Sequence, residues 1–176
     1  MLKRSLYFVL FCLSSTIFSQ EWQQNSSQAL FSVKKLGINV VGNFNDAKLY
    51  TNFNSNDLEN SYINLKIRVK SISMKRKNRE KLILKRKYFF EDNYKYIQFN
   101  SSKIEKKENG VFFLLGILKI KGIAKKVQIP FEVSENGKKI TIKSIFKINR
   151  KDFNIGENDV SLSKSASIKL EFTGTT

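Results

Sequence analysis

Apolar and polar residues alternate with period two along most of the chain, the pattern of half-buried strands. Ile63, Leu65, Ile67 and Val69 alternate with Asn64, Lys66, Arg68 and Lys70. Val127, Ile129, Phe131 and Val133 do so with Gln128, Pro130 and Glu132. Ile140, Ile142, Phe146 and Ile148 share one phase, and Ile168, Leu170 and Phe172 share another near the end. Ile38, Val40, Gly42 and Phe44 predict one strand face. Ala47, Leu49, Thr51 and Phe53 predict a second, after a turn at Asn45-Asp46. Ile97, Phe99 and Ser101 continue the pattern. From Val111 to Leu115 the chain is apolar on both faces, so one end of that strand should be covered twice. Gly116 and Gly122 are expected to mark bends at a barrel corner. Asn109-Gly110 and Asn136-Gly137 have the composition of hairpin turns. The sum is an all-β fold of about eight or nine strands, an antiparallel barrel or sandwich. One stretch, Asn78 to Phe90, predicts a short helix, with Leu82, Ile83, Phe89 and Phe90 on its apolar side.

The first residues break this pattern. Lys3 and Arg4 precede an apolar run from Leu6 to Leu13, and small and polar residues follow to Ser19 and Gln20. This is the layout of a secretory signal peptide with cleavage expected after Ser19. The domain division is therefore a signal segment at 1–19 and one barrel domain at 20–176, with a periplasmic destination. Cys12, the single cysteine, lies inside the apolar run after Phe11, where lipoprotein chemistry needs a small residue. It would leave with the signal, and with it any thiol chemistry.

Composition narrows the chemistry further. The chain has no His, which excludes His-based triads and His-ligated metals. The formal net charge is +17, but 26 of the 32 basic residues are Lys, in a sequence also rich in Asn and Ile. Arg, the residue suited to bidentate phosphate contacts, is scarce. The charge therefore favours contact with an anionic membrane surface over nucleic acid, which is not an expected partner. Eight of the basic residues fall between Lys75 and Lys87. That segment fits a helix with a solvated basic side better than one lying on lipid. Asp152, Glu157 and Asp159 cluster near a strand end, where a solvated turn explains them better than paired catalytic carboxylates do.

The outward strand faces carry Lys, Asn, Arg and Glu, which excludes a lipid-embedded barrel. The interior of a barrel this size is either filled by side chains or holds one small ligand. The 15 Phe residues serve either arrangement.

The order of short segments resembles the YceI-like, polyisoprenoid-binding family of secreted bacterial proteins. Phe31-Ser32-Val33-Lys34 with Gly42-Asn43-Phe44 is similar to its opening strand pair, and Leu58-Glu59-Asn60-Ser61 with Ser71-Ile72 to the next. Arg79-Glu80-Lys81-Leu82 stands where the family has Arg-Asp-x-His-Leu. Tyr88-Phe89-Phe90 and Tyr94-Lys95-Tyr96-Ile97-Gln98-Phe99 resemble its Phe-Phe and Tyr-Pro-x-Ile-x-Phe segments. Gly116-Ile117-Leu118-Lys119-Ile120-Lys121-Gly122 and Lys126-Val127 follow in the family order, then Arg150-Lys151-Asp152-Phe153-Asn154-Ile155. Glu80 replaces Asp, Leu82 follows Lys81 with no His, Tyr96 follows Lys95 with no Pro, and Asn154 replaces Gly.

The resemblance implies a lipocalin-like, closed antiparallel β-barrel of about eight strands with one short helix, and a long apolar lumen for an isoprenoid chain. The lumen residues expected on this reading are Val33, Phe44, Ile63, Leu65, Ile67, Val69, Phe99, Phe112, Leu114, Leu118, Phe131 and Phe146. Arg79 and Arg150 are the candidates for a head group at the mouth; the alternative for both, and the favoured one, is a structural salt bridge or a cap on backbone carbonyls. The function expected is a secreted lipid-binding protein, a carrier or store, and not an enzyme. No cofactor is expected beyond a bound isoprenoid lipid or quinone. The alternative is an envelope protein with a filled barrel, acting through its basic surface on anionic lipid or glycan.

Overall fold

The turns explain how the strands are joined. Leu36-Gly37 (φ +49°, +81°) and Lys121-Gly122 (φ +51°, +80°) each put two successive residues at positive φ. That is the twist a two-residue type I′ hairpin needs. Gly122 is thus a hairpin turn rather than the expected bend within one strand. The computed structural model describes residues 22–107 and 110–175. The expected signal segment, and Asn109 of one expected hairpin turn, lie outside the described residues.

Ten strands form one antiparallel sheet: β1 (Gln23–Lys35), β2 (Ile38–Phe44), β3 (Ala47–Thr51), β4 (Ile63–Arg68), β5 (Ile72–Met74), β6 (Tyr96–Lys106), β7 (Phe112–Ile120), β8 (Ile123–Asn136), β9 (Lys139–Asn149) and β10 (Leu162–Thr175). The order across the sheet is β3-β4-β6-β7-β8-β9-β10-β1-β2-β5. The helix α1 is short, Lys77–Ile83, and the rest of the expected helix is turns.

The sheet curls into a half-barrel and is not the closed eight-stranded barrel expected. Two kinks account for the difference. The chain bends at Asn45-Asp46 between β2 and β3, and a 3-10 turn at Val69–Ser71 separates β4 from β5. The kinks face each other: the Asn45 N–H donates to the Ser71 carbonyl (3.1 Å) and the Asp46 N–H to the Ser71 hydroxyl (3.0 Å). Each long strand therefore counts as two. No ladder joins β1 to β3. Gln24 bridges them with its side chain, donating to the Ala47 carbonyl (2.9 Å) and accepting from the Leu49 N–H (2.8 Å).

A second departure lies between β8 and β9. They pair only from Glu132 to Asn136 against Lys139 to Lys143. Before that, β8 pairs with β7, and beyond it β9 stays with β10. At the fork the Ser144 hydroxyl donates to the Pro130 carbonyl (2.6 Å). Past it, Phe146 and Ile148 are only half-buried.

Inward phase follows the alternation. Ile63, Leu65, Ile67 and Phe99 are buried on the concave face, with Leu114, Leu118, Phe131 and Phe172. Gly116 sits where a Cβ would lie 2.2 Å from the Asn100 carbonyl, opposite an irregularity of β6 between Ser101 and Lys103. Only a residue without Cβ allows that approach.

Candidate functional site

The two ends of the concave face are built differently. At the end holding the β8–β9 turn, Phe53, Phe112 and Phe131 form a closed aromatic cluster, with centroids 5.2 to 5.7 Å apart. At the other end Phe31, Phe44 and Phe89 also meet, at 5.6 to 6.5 Å, but these rings wall a cavity.

That cavity has a volume of about 140 Å³. Its walls come from the inward residues of β1, β2 and β10, from α1, and from the segment after it. Val33, Val40, Met74, Ile83, Ile120, Ile148, Ile155, Leu162 and Ile168 supply most of the surface. A deeper chamber of about 60 Å³ lies against Leu65, Ile67, Leu118, Phe146 and Leu170. Phe31, Phe44, Ile97, Ile120, Ile148 and Ile168 border both chambers, so the two rings stand at the junction.

Of the twelve expected lumen residues, Val33, Phe44, Leu65, Ile67, Leu118 and Phe146 line one or both chambers. Ile63, Val69, Phe99, Phe112, Leu114 and Phe131 are buried in packed core away from them. Inward phase is common to both groups, so alternation does not separate them. Tyr88 and Phe89 are cavity residues that the sequence reading assigned to a helix. Their neighbours Phe90 and Lys87 face a separate polar surface pocket with Arg86 and Lys121.

The polar groups at the mouth hold it together. Arg150 is 3% exposed and all five of its N–H groups are engaged. Nε donates to the Ser163 carbonyl (2.8 Å), and Nη1 to those of Ile155 (2.7 Å) and Gly156. Nη2 donates to the carbonyls of Asp159 (2.8 Å) and Leu162 (3.0 Å). A buried guanidinium therefore folds the 155–163 loop around itself, and no donor is left for a head group. The expected mouth role thus does not fit Arg150. Arg79 differs: it is exposed on α1, borders the cavity, and its side chain has no hydrogen bond or ion pair among the described residues.

Tyr88 and Asp159 complete the clamp. The Tyr88 hydroxyl donates to Asp159 Oδ2 (2.9 Å), and Ser161 donates its hydroxyl and its N–H to Oδ1. The Ser161 hydroxyl holds the Asp159 carboxyl down to about 2, against the opposing effect of burial and helped by Tyr88 and Lys87. Burial pushes the Tyr88 phenol up to about 12, with Asp159 adding to it. Asp152 accepts from the Asn149 amide instead (2.8 Å), so Asp152 and Asp159 are both tied into the turns that follow β9. On the far side of the cavity Glu80 accepts the Met74 N–H (2.8 Å), which holds its carboxyl below the usual range and fastens α1 to β5. Among the described residues no group of His, Cys, Asp and Glu could hold a metal ion. No described helix is long and apolar enough to cross a membrane.

The chain and its fold are similar to known proteins. A family model described as the YceI-like domain matches residues 21–175. The crystal structure of BcnA from Burkholderia cenocepacia is similar at 23% identity with a TM-score of 0.81, over 85% of this chain and 96% of that one. The YceI protein of Campylobacter jejuni, which crystallizes with large solvent channels, matches at 23% identity and a TM-score of 0.70, over 77% and 84%. A polyisoprenoid binding domain from Saccharophagus degradans, implicated in plant cell wall breakdown, matches at 10% identity and a TM-score of 0.66, over 89% and 97%. At these identities the likeness is one of fold. No curated protein sequence matches the chain.

Proposed function

The chain belongs to the YceI-like family, and on that premise we propose that it is an exported lipid-binding protein holding an isoprenoid or similar long apolar chain at the mouth end of its half-barrel. The observation that carries this reading is the cavity between α1, β1, β2 and β10, walled almost wholly by apolar side chains. Export rests on the basic and apolar character of residues 1–19. The fold is shared with a polyisoprenoid binding domain, which supports the ligand class.

The driving force is transfer of chain carbons out of water, about 0.8 kcal/mol per CH₂ buried. Such a ligand needs few polar contacts. Arg79 at the rim is the cation placed to meet an anionic or polar head, because its guanidinium has no other partner. Binding of this kind needs no catalytic group, and the acid nearest the mouth, Asp159, is held by Ser161, Tyr88 and Lys87.

Size limits how the chain enters. An engineered protein cavity of about 150 Å³ takes benzene, and the two chambers here are about 140 and 60 Å³. A chain of many isoprene units is accommodated only if Phe31, Phe44 and Phe89 turn aside, or if part of it lies along the β8–β9 fork.

The test is mass spectrometry of the organic extract from protein purified in high salt without detergent, followed by uptake of added isoprenoid alcohols and quinones. Stoichiometric lipid, and loss of uptake in Ile168→Trp at unchanged unfolding midpoint, are the expected results. An extract without lipid and no uptake would overturn the reading and move the search to the basic surface.

A further inference from the structure

The cavity mouth is rimmed by exposed aliphatic side chains that the fold itself does not use. The β1–β2 turn carries Leu36, 78% exposed, and Ile38, 73% exposed. Val160, 98% exposed, belongs to the loop clamped by Arg150. The two loops are joined, since the Leu36 N–H donates to the Ser161 carbonyl (2.9 Å). Leu82 on α1, 49% exposed, closes the rim on the other side and borders the cavity itself.

Leu36 is a local anomaly. The first central residue of a type I′ turn favours Asn, Asp or Gly, because φ is positive there. A Leu at φ +49°, pointing into water, breaks turn chemistry and solvation together. Lys121 holds the same turn position with a polar side chain, so what sets Leu36 apart is its exposed aliphatic side chain, and broken local rules are expected at functional or strained sites.

The charge around the rim has one sign. Lys34, Lys35, Arg79 and Lys81 flank these aliphatic residues and make no ion pair among the described residues. The acids nearest them are committed elsewhere: Glu80 to the Met74 N–H and Lys77, Asp159 to Ser161, Tyr88 and Lys87. Glu157 lies beside Lys121, whose ammonium is partly desolvated.

We propose that this rim is a membrane-docking face: Leu36, Ile38 and Val160 enter the interface of an anionic bilayer, and Lys35 and Arg79 lie among its head groups. The aliphatic tip supplies burial and the cations supply attraction to anionic lipid. A bilayer fits better than a protein partner because the exposed aliphatic side chains are few and the cations around them make no ion pair among the described residues. Docked in this way, the mouth opens onto the acyl region. This assignment does not depend on which lipid the cavity holds.

Flotation with vesicles tests it, using protein recovered after export from an expressing host. Vesicles of phosphatidylcholine are compared with vesicles of phosphatidylcholine and phosphatidylglycerol. Binding is expected only to the anionic mixture. Leu36→Asn with Ile38→Thr should weaken it about tenfold while the hairpin stays as stable or becomes more so, since Asn suits that φ. Lys35→Glu with Arg79→Glu should abolish it. Lys138→Glu with Lys139→Glu, the same charge change at the opposite end of the sheet, should leave most of it. Equal loss from the two charge pairs would reduce the effect to net charge and overturn the proposal. So would full binding by the Leu36→Asn, Ile38→Thr protein. A dimer, seen by sedimentation without vesicles and lost in that same protein, would show that a second copy covers the tip, which also overturns it.

Discussion

Three phenylalanines meet at each end of this half-barrel, and they do opposite things. Phe53, Phe112 and Phe131 close on one another, and Phe131 is 1% exposed. Phe31, Phe44 and Phe89 meet at similar distances and leave a chamber beside them. What differs is the frame. At the closed end two rings sit on neighbouring strands, Phe112 opposite Phe131 in the ladder, and Phe53 joins them from just past β3. At the open end Phe89 hangs from a turn after α1, and Phe31 lies over Gly42, whose missing side chain makes room for the ring. Loop 155–163 and α1 are fastened at that end by polar bonds to Arg150, Asp159 and Glu80 as well as by the packing of Ile155, Leu162 and Ile83. Rings filling a sheet-backed layer give stability. At the open end Phe31 and Phe44 also stand on paired strands, and Phe89, carried by the turn after α1, is the ring with no strand behind it.

The largest expected effect is at the closed end. Phe131→Ala should cost about 4 kcal/mol in urea unfolding, the range for a fully packed ring, and leave lipid uptake in place. Phe44→Ala should cost about 1 kcal/mol less, because the ring already borders empty space, and should admit longer chains. Equal costs would remove the distinction between the two ends. Arg150→Leu should come next, at about 3 kcal/mol, since it leaves buried carbonyls without donors. Arg150→Lys should recover less than half of that, because a point ammonium does not span five acceptors. A loss under about 1 kcal/mol would mean that water replaces the guanidinium.

The smallest effect is with pH. Asp159 has a folded pKa of about 2 against 3.8 for the free side chain. Its contribution is therefore present above about pH 4 and lost as pH falls through 2, at most about 2 kcal/mol. Tyr88, raised from 10.0 to about 12, runs the other way: its contribution holds below pH 10 and goes as pH rises through 12. Asp159→Asn should flatten the acid limb of unfolding measured against pH. An unchanged slope would place the acid sensitivity elsewhere.

Much of the frame was legible because strand phase is unforgiving: a one-residue slip turns every core side chain to solvent. Ile63, Leu65 and Ile67 therefore announced their inner face, and the family motifs set their order. What alternation does not encode is depth. Phe44 and Phe131 have the same phase, yet one lines a chamber and the other fills the core. Closure was also hidden. Asn45-Asp46 has turn composition, but the local sequence does not say that a kink at Ser71 faces it and divides both strands. For Arg150 the sequence allowed a cap on backbone carbonyls, and that is its role, but residue types did not say which carbonyls it holds.

Trp22, the only tryptophan, reports on the claim that the chain stops short of the closed end. It packs against the core at the start of β1, beside Gly174, at that end. The decisive measurement is its fluorescence with a prenyl chain brominated at its tail, with binding confirmed by mass spectrometry. The account predicts a bound chain and unquenched emission, with quenching appearing only when Phe53 and Phe112 are cut to Ala. Quenching in the unaltered protein would contradict it, because the chain would then run the full length of the half-barrel past the three rings.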